Sequence, residues 1–193
     1  MYEKSSEEED SLLEINIVTL GETSVGKSSL TCRFLYGKFL ENYDETIEDR
    51  YEMNQTKENP KYHLYIHDTG GNEDLKKSYL ETWIKNNNCF LLVYSIDDAN
   101  SFKELKANCE LIFQIKKNEI FSIILVGNKC DLKSERKVTE EEEKKFAKSK
   151  GILFSEASAL EDFNAKDVFL KVIKDYIKKL ENKKNKNEWC SCC

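Results

Sequence analysis

Apolar residues, many of them β-branched, gather in short runs at residues 12–20, 64–66, 89–96 and 120–126, with a briefer one at 152–154. Near-continuous runs of this length predict strands buried on both faces, because a half-exposed strand would alternate apolar and polar positions. Between the runs the period changes. Phe102, Leu105, Cys109, Ile112 and Phe113 are spaced by threes and fours, and so are Val168, Phe169, Val172, Ile173, Tyr176, Ile177 and Leu180. Each set therefore falls on one side of a helix, and residues 29–36 can form another directly after the first run. One stretch breaks the alternation of strand and helix. Residues 50–56 and 62–66 are separated only by 57–61, which holds the single proline, Pro60, so they predict an antiparallel hairpin. The expected fold class is α/β: a mostly parallel sheet of six strands with one antiparallel edge strand, and helices on both faces. Ligands of such sheets bind at the carboxyl ends of the strands.

With 193 residues the chain suits one domain with a full core, and the pattern places it at residues 12–181. Residues 1–11 then form an acidic N-terminal extension, and 182–193 a flexible polar tail that ends in cysteines. A net charge of −6 argues against nucleic acid as a partner of the body. The first ten residues carry no apolar signal core, so the seven cysteines are expected to be cytosolic and reduced. No run approaches the roughly 18 apolar residues of a membrane span, so membrane contact is expected only through an anchor.

Chemistry concentrates at the strand ends. The octapeptide GETSVGKS, Gly21 to Ser28, sits between the first apolar run and the first helix. A glycine-rich turn in that position leaves backbone N–H groups pointing into one concavity, where a polyphosphate can accept them. Lys27 adds a cation for the terminal phosphates and Ser28 a hydroxyl for Mg2+, so the spacing reads as the phosphate loop of a P-loop NTPase. Gly70 and Gly71 follow Asp68 and Thr69 in DTGGNE, and Gly127 precedes NKCD, Asn128 to Asp131. Asp68, a carboxylate at a strand tip beside the loop, is where a second magnesium-holding group belongs.

These strings, in this order, resemble the motifs of the Ras superfamily of small GTPases over nearly the whole core. GETSVGKS looks like the phosphate loop, YDETIEDRY (residues 43–51) like the first switch, DTGGNE like the second, and NKCD with EASAL (residues 156–160) like the guanine motifs. The carboxylate of Asp131 can accept both the N1–H and the exocyclic amine of guanine, a donor pair that adenine lacks. The resemblance further implies that Asn128 bonds base and loop, that Lys129 and Phe39 cover the two ring faces, and that the N–H of Ala159 meets the guanine oxygen, with Ser158 and Leu160 beside it. It implies loop contacts from Gly21, Ser24, Val25, Gly26 and Ser29, a closing Tyr43, and a Thr46 that joins Ser28 on Mg2+ while Asp68 acts through water. Gly71 would contact the γ-phosphate of GTP, and loss of that phosphate on conversion to GDP would release both switches. Leu75, Tyr79, Leu80, Trp83 and Ile84 look like one helix face, mostly core, with an edge available to partners.

Several positions depart from the pattern. Asn72 stands where Ras proteins have the glutamine that orients the attacking water, and it is one methylene shorter. Together with Lys27 and Gly71 it forms the expected catalytic set, and slow intrinsic hydrolysis is expected. Thr23 replaces a usual glycine and would crowd an arginine finger, and Glu45 replaces the proline before Thr46. The first switch is Ras- or Rap-like, whereas the ending WCSCC behind Lys178, Lys179, Lys183, Lys184 and Lys186 is Rab-like. Lipid on Cys190, or on Cys192 and Cys193, plus a basic stretch would supply the two signals that stable anchoring requires. The expectation is a membrane-anchored GTP/GDP switch in signalling or trafficking, on the cytoplasmic face of a membrane with a cytosolic pool. Its partners would be an exchange factor, a GTPase-activating protein, effectors at residues 43–51 and 70–84, and a prenyltransferase or escort protein. The alternative is an interaction module that stays GTP-bound with negligible hydrolysis. A nucleotide kinase is a third reading, disfavoured by NKCD and EASAL and by the presence of only three arginines, Arg33, Arg50 and Arg136.

Overall fold

The first apolar run forms strand β1, Leu13–Leu20, and the chain turns through the glycine-rich loop into helix α1, Lys27–Tyr36. The computed structural model describes residues 12–39, 48–54, 62–70 and 73–190. Strand β2, Glu48–Asn54, pairs antiparallel with β3, Tyr62–Thr69, as the hairpin pattern predicted, although the connection holding Pro60 lies outside the described residues. Helix α2, Glu73–Asn86, leads into β4, Cys89–Ser95, then α3, Ala99–Ile115, and β5, Ser122–Asn128. A 3-10 turn, Lys133–Glu135, precedes helix α4, Glu140–Lys150; β6, Leu153–Glu156, and α5, Asp167–Cys190, complete the fold.

The six strands lie in the order β2-β3-β1-β4-β5-β6, and every pairing except β2 with β3 is parallel. After β1 the chain runs out to the edge strand β2, returns by the hairpin to β3 beside β1 and then crosses to β4 on the other side, so the winding reverses beside β1. The loop after β1 opens at that reversal, where such sheets bind ligands. Alternation along each strand feeds two cores. Ile15, Ile17, Leu91, Val93, Ile124 and Val126 meet Leu30 and Phe34 of α1 and Phe169, Val172 and Ile173 of α5. On the opposite face Val18, Leu20, Phe90, Leu92 and Leu125 meet Trp83 and Ile84 of α2, Phe102 and Leu105 of α3 and Ala147 of α4.

Two elements differ from the pattern reading. Helix α4 has almost no apolar stripe, only Glu143 and Ala147 being buried. It is set instead by a capping box between Thr139 and Glu142 and by Gly151 in a left-handed C-cap. The polar stretch from Asn182 onward, expected to be a flexible tail, continues α5 to Cys190. Its Lys, Glu and Asn residues, free of Gly and Pro, extend a helix already nucleated by packing. On α2, Trp83 and Ile84 are buried, Leu80 is half-buried and Tyr79 is exposed, so that face is core with one open edge.

Candidate functional site

At the start of α1 no side chain caps the first turn, and the first helical bond runs from the Leu30 N–H to the Gly26 carbonyl at 3.0 Å. Intrahelical bonding thus starts at Leu30, and the backbone N–H groups of the first turn open toward the loop, the arrangement that receives anions. Gly26 has φ +93°, and a Cβ there would stand 2.2 Å from Asn128 Nδ2. Gly21 approaches β4 so closely that a Cβ would stand 2.1 Å from the Val93 carbonyl oxygen. Lys27 reaches back across the loop and donates to the carbonyls of Gly21 (3.2 Å) and Glu22 (2.9 Å). Burial pushes its ammonium down to about 8, and the nearby Asp68 opposes this only in part. A cation so short of compensating negative charge suits a polyphosphate.

Asp68, the last residue but one of β3, is completely buried. The Thr19 hydroxyl donates to its Oδ1 at 2.9 Å, while Oδ2 has no hydrogen-bond partner among the described residues. Burial raises its carboxyl, opposed first by hydrogen bonds from Ser28 and Thr19 and then by Lys27. A buried carboxylate with one orphaned oxygen beside a serine hydroxyl is a donor set that fits Mg2+, directly or through water.

Next to the loop opens a cavity of about 460 Å³ lined by Ser24, Gly26, Phe39, Asn128, Lys129 and Asp131, with Ser29, Leu132, Ala159 and Leu160 completing the wall. Asn128 is its hub. Its Nδ2 donates to the Val25 carbonyl at 2.8 Å and its Oδ1 accepts from the Ala159 N–H at 3.2 Å. That N–H, expected at the guanine oxygen, is thus engaged at long range by Asn128. Lys129 takes a left-handed φ of 60°, unusual for a non-glycine residue and of the kind that functional loops retain. Ser158 is fully buried and is absent from the cavity wall; its hydroxyl donates to Asp131 Oδ1 at 2.5 Å and so orients the carboxylate toward the cavity side.

Sequence reading missed Arg33. Its Nε donates to the Ala159 carbonyl at 2.8 Å and its Nη2 to the Leu160 carbonyl at 2.9 Å, tying α1 to the loop after β6. The guanidinium also lies 5.8 Å from the centre of the Phe39 ring. One signal was available: in a chain that otherwise uses lysine, an arginine marks a place where a rigid planar fork is needed. Tyr43, Thr46, Gly71, Asn72, Cys192 and Cys193 lie outside the described residues, as does the side chain of Cys190.

The phosphate loop, the buried Asp68 and the base-sized cavity stand together at the winding reversal, and the sequence model of the Ras family matches residues 16–178, which span all three. The chain belongs to the Ras family. It is also similar to the Ras-like protein rasB of Dictyostelium discoideum, with 37% identity over 168 residues, covering 87% of this chain and 85% of that protein. As a Ras-family member it is a GTP-binding GTPase switch. Proteins of this family bind GTP and GDP, generally with Mg2+, and work with exchange factors, activating proteins and effectors.

Proposed function

We propose that this Ras-family switch is a lipid-anchored protein that hydrolyses GTP slowly unless a partner assists it, and that it acts in signalling or trafficking. For the nucleotide, the carrying observation is the cavity in which Asn128, Lys129 and Asp131 face Ala159 beside an uncapped helix start and the buried Lys27. In this reading Asp131 accepts the two guanine donors, Lys129 and Phe39 sandwich the ring, and the α1 N–H groups and Lys27 hold the phosphates. Ser28 and Thr46 would hold Mg2+, with Asp68 acting through water, and the ion would supply charge to neutralise what develops on the transferring phosphoryl group. Tyr43 closes over the phosphates, and the N–H groups of Thr46 and Gly71 sense the γ-phosphate.

The low rate rests on Asn72, whose amide reaches one methylene less far toward the attacking water than glutamine would, and on Thr23, which is exposed at the mouth of the loop. Misplacement of a positioning group by about 1 Å lowers rates on the order of 10²-fold. Single-turnover hydrolysis by the parent and by Asn72→Gln tests this: the variant is expected to be faster, and equal rates would remove Asn72 from the explanation. The nucleotide that copurifies separates a cycling switch (GDP) from a permanently GTP-bound interaction module, the reading that Asn72 and Thr23 otherwise favour. Anchoring is supported by WCSCC behind the lysines of α5. No helix among the described residues is long and apolar enough to cross a membrane. Intact mass of protein from its own cells tests the anchor, because C-a-a-X processing removes residues 191–193 and a double-cysteine ending keeps them.

A further inference from the structure

Behind the base cavity lies a polar cluster that the nucleotide reading does not use. Glu143, on the inner face of α4, is completely buried against the end of β5, where a Cβ on Gly127 would stand 3.3 Å from its Oε1 and 2.7 Å from the Tyr94 hydroxyl. Arg136 Nη1 is 2.6 Å from Glu156 Oε1 and 3.6 Å from Glu143 Oε1. One guanidinium thus serves two carboxyl groups. Removed from water, the second negative charge lacks a counter-ion of its own, and a proton on the unpartnered Glu143 carboxyl is the arrangement that restores balance.

This cluster is fastened to both base-binding loops. Gly127 immediately precedes Asn128, and Glu156 immediately precedes the segment that carries Ser158 and Ala159. The two strand ends are joined by hydrogen bonds from the Ala157 N–H to the Gly127 carbonyl (2.9 Å) and from the Cys130 N–H to the Ala157 carbonyl (3.1 Å).

We propose that Glu143 is a positioning residue for nucleotide retention: its buried carboxyl oxygens have no hydrogen-bond partner among the described residues, so with a proton on it the ends of β5 and β6 stay together, whereas its charge beside Glu156 pushes them apart, and release of that proton to solvent speeds dissociation of guanine nucleotide. Burial pushes the Glu143 carboxyl up to about 7; Tyr94 opposes the rise, Glu156 adds to it, and Arg136 opposes it. Three of the facing groups, Tyr94, Arg136 and Cys130, hold their charge state near neutral pH. Tyr94 of β4 is driven upward by burial, Arg136 is raised by its bond to Glu156, and the Cys130 thiol after β5 is raised by burial. On α4 itself Lys144 pairs with Glu140 at 2.7 Å, and Lys106 of α3 sits over the Phe102 and Phe146 rings. A carboxyl raised in the folded state favours the fold most fully below the ordinary carboxylate range, and that contribution is lost as pH rises through about 7.

The test is dissociation of a fluorescent GDP analogue from the full chain with Mg2+, chased with excess GDP between pH 6 and pH 8. The parent rate is expected to rise about five- to tenfold, since one pKa unit of difference between the loaded and empty protein is a factor of ten. Glu143→Gln, whose amide is neutral at every pH, is expected to keep the slow low-pH rate throughout. Lys27 and the histidines are common to both proteins, so the difference between the two profiles is the readout. Glu156→Gln, which removes the neighbouring carboxylate, is expected to move the rise to lower pH, and it carries the test alone if the first variant does not fold. A flat parent profile, an undiminished slope in Glu143→Gln, or an unmoved rise in Glu156→Gln overturns the proposal. It rests on the guanine reading; failure to retain guanine nucleotide at any pH would overturn that reading, and this inference with it.

Discussion

Asp131 is held from behind by the Ser158 hydroxyl, so its carboxylate meets the cavity in one orientation rather than several. A ligand that offers one donor instead of two forgoes a hydrogen bond to a charged acceptor, worth about 1.5–3 kcal/mol. The parent is therefore expected to bind GDP at least about tenfold more tightly than IDP, which lacks the exocyclic amine, and Asp131→Ala is expected to lose the preference; competition against a fluorescent nucleotide reads both. At Gly26 the constraint is backbone. An alanine there would adopt an unfavourable φ and strike Asn128, whose hydrogen bonds hold the loop, so Gly26→Ala is expected to lower GDP affinity at least about tenfold, the worth of one hydrogen bond to a charged group. Arg33→Ala removes two charge-assisted bonds to the carbonyls of Ala159 and Leu160 and is expected to raise GDP dissociation about tenfold. Asp131 and Gly26 were legible because the chemistry of each sits in a contiguous string. Arg33 was not, because the carbonyl it serves is 126 residues away and carries no side-chain signature.

Helix α4 shows what decides an element when packing does not. Its first turn carries Glu140, Glu141, Glu142 and Glu143 at the positive end of the helix dipole, and its last carries Lys148 and Lys150. Thr139→Ala breaks the capping box and is expected to cost about 1 kcal/mol in urea denaturation. The Thr139 side chain and backbone N–H hold the Glu142 carboxyl below its ordinary range. A depressed carboxyl stabilises above its unfolded range and loses that contribution as pH falls, so the penalty of Thr139→Ala is expected to shrink in acid. The buried strands and the helices α3 and α5 were readable because an apolar period marks them. Only Phe146 and Ala147 give α4 an apolar contact, too few to make a period, so its caps mark it instead. The early hairpin was readable for the opposite reason, since a short polar break with one proline leaves no room for a crossover.

At the scale of the molecule, two cores share one sheet, and the loops of the site are the carboxyl ends of strands that both cores grip. Nucleotide that binds only the folded state adds about 2.7 kcal/mol at a hundredfold excess over Kd, so GDP with Mg2+ is expected to raise the thermal midpoint by about 5–10 °C, as scanning calorimetry can measure. The way the loops are joined has one more consequence, in time rather than in space. Asn128 holds the Val25 carbonyl with one end of its amide and the Ala159 N–H with the other. The Ala159 amide can give up its proton to solvent only when that grip opens, and the same opening frees the phosphate loop on the far side. Deuterium uptake at a single position after β6 is thus a clock for how often the protein lets go of a loop built more than a hundred residues earlier.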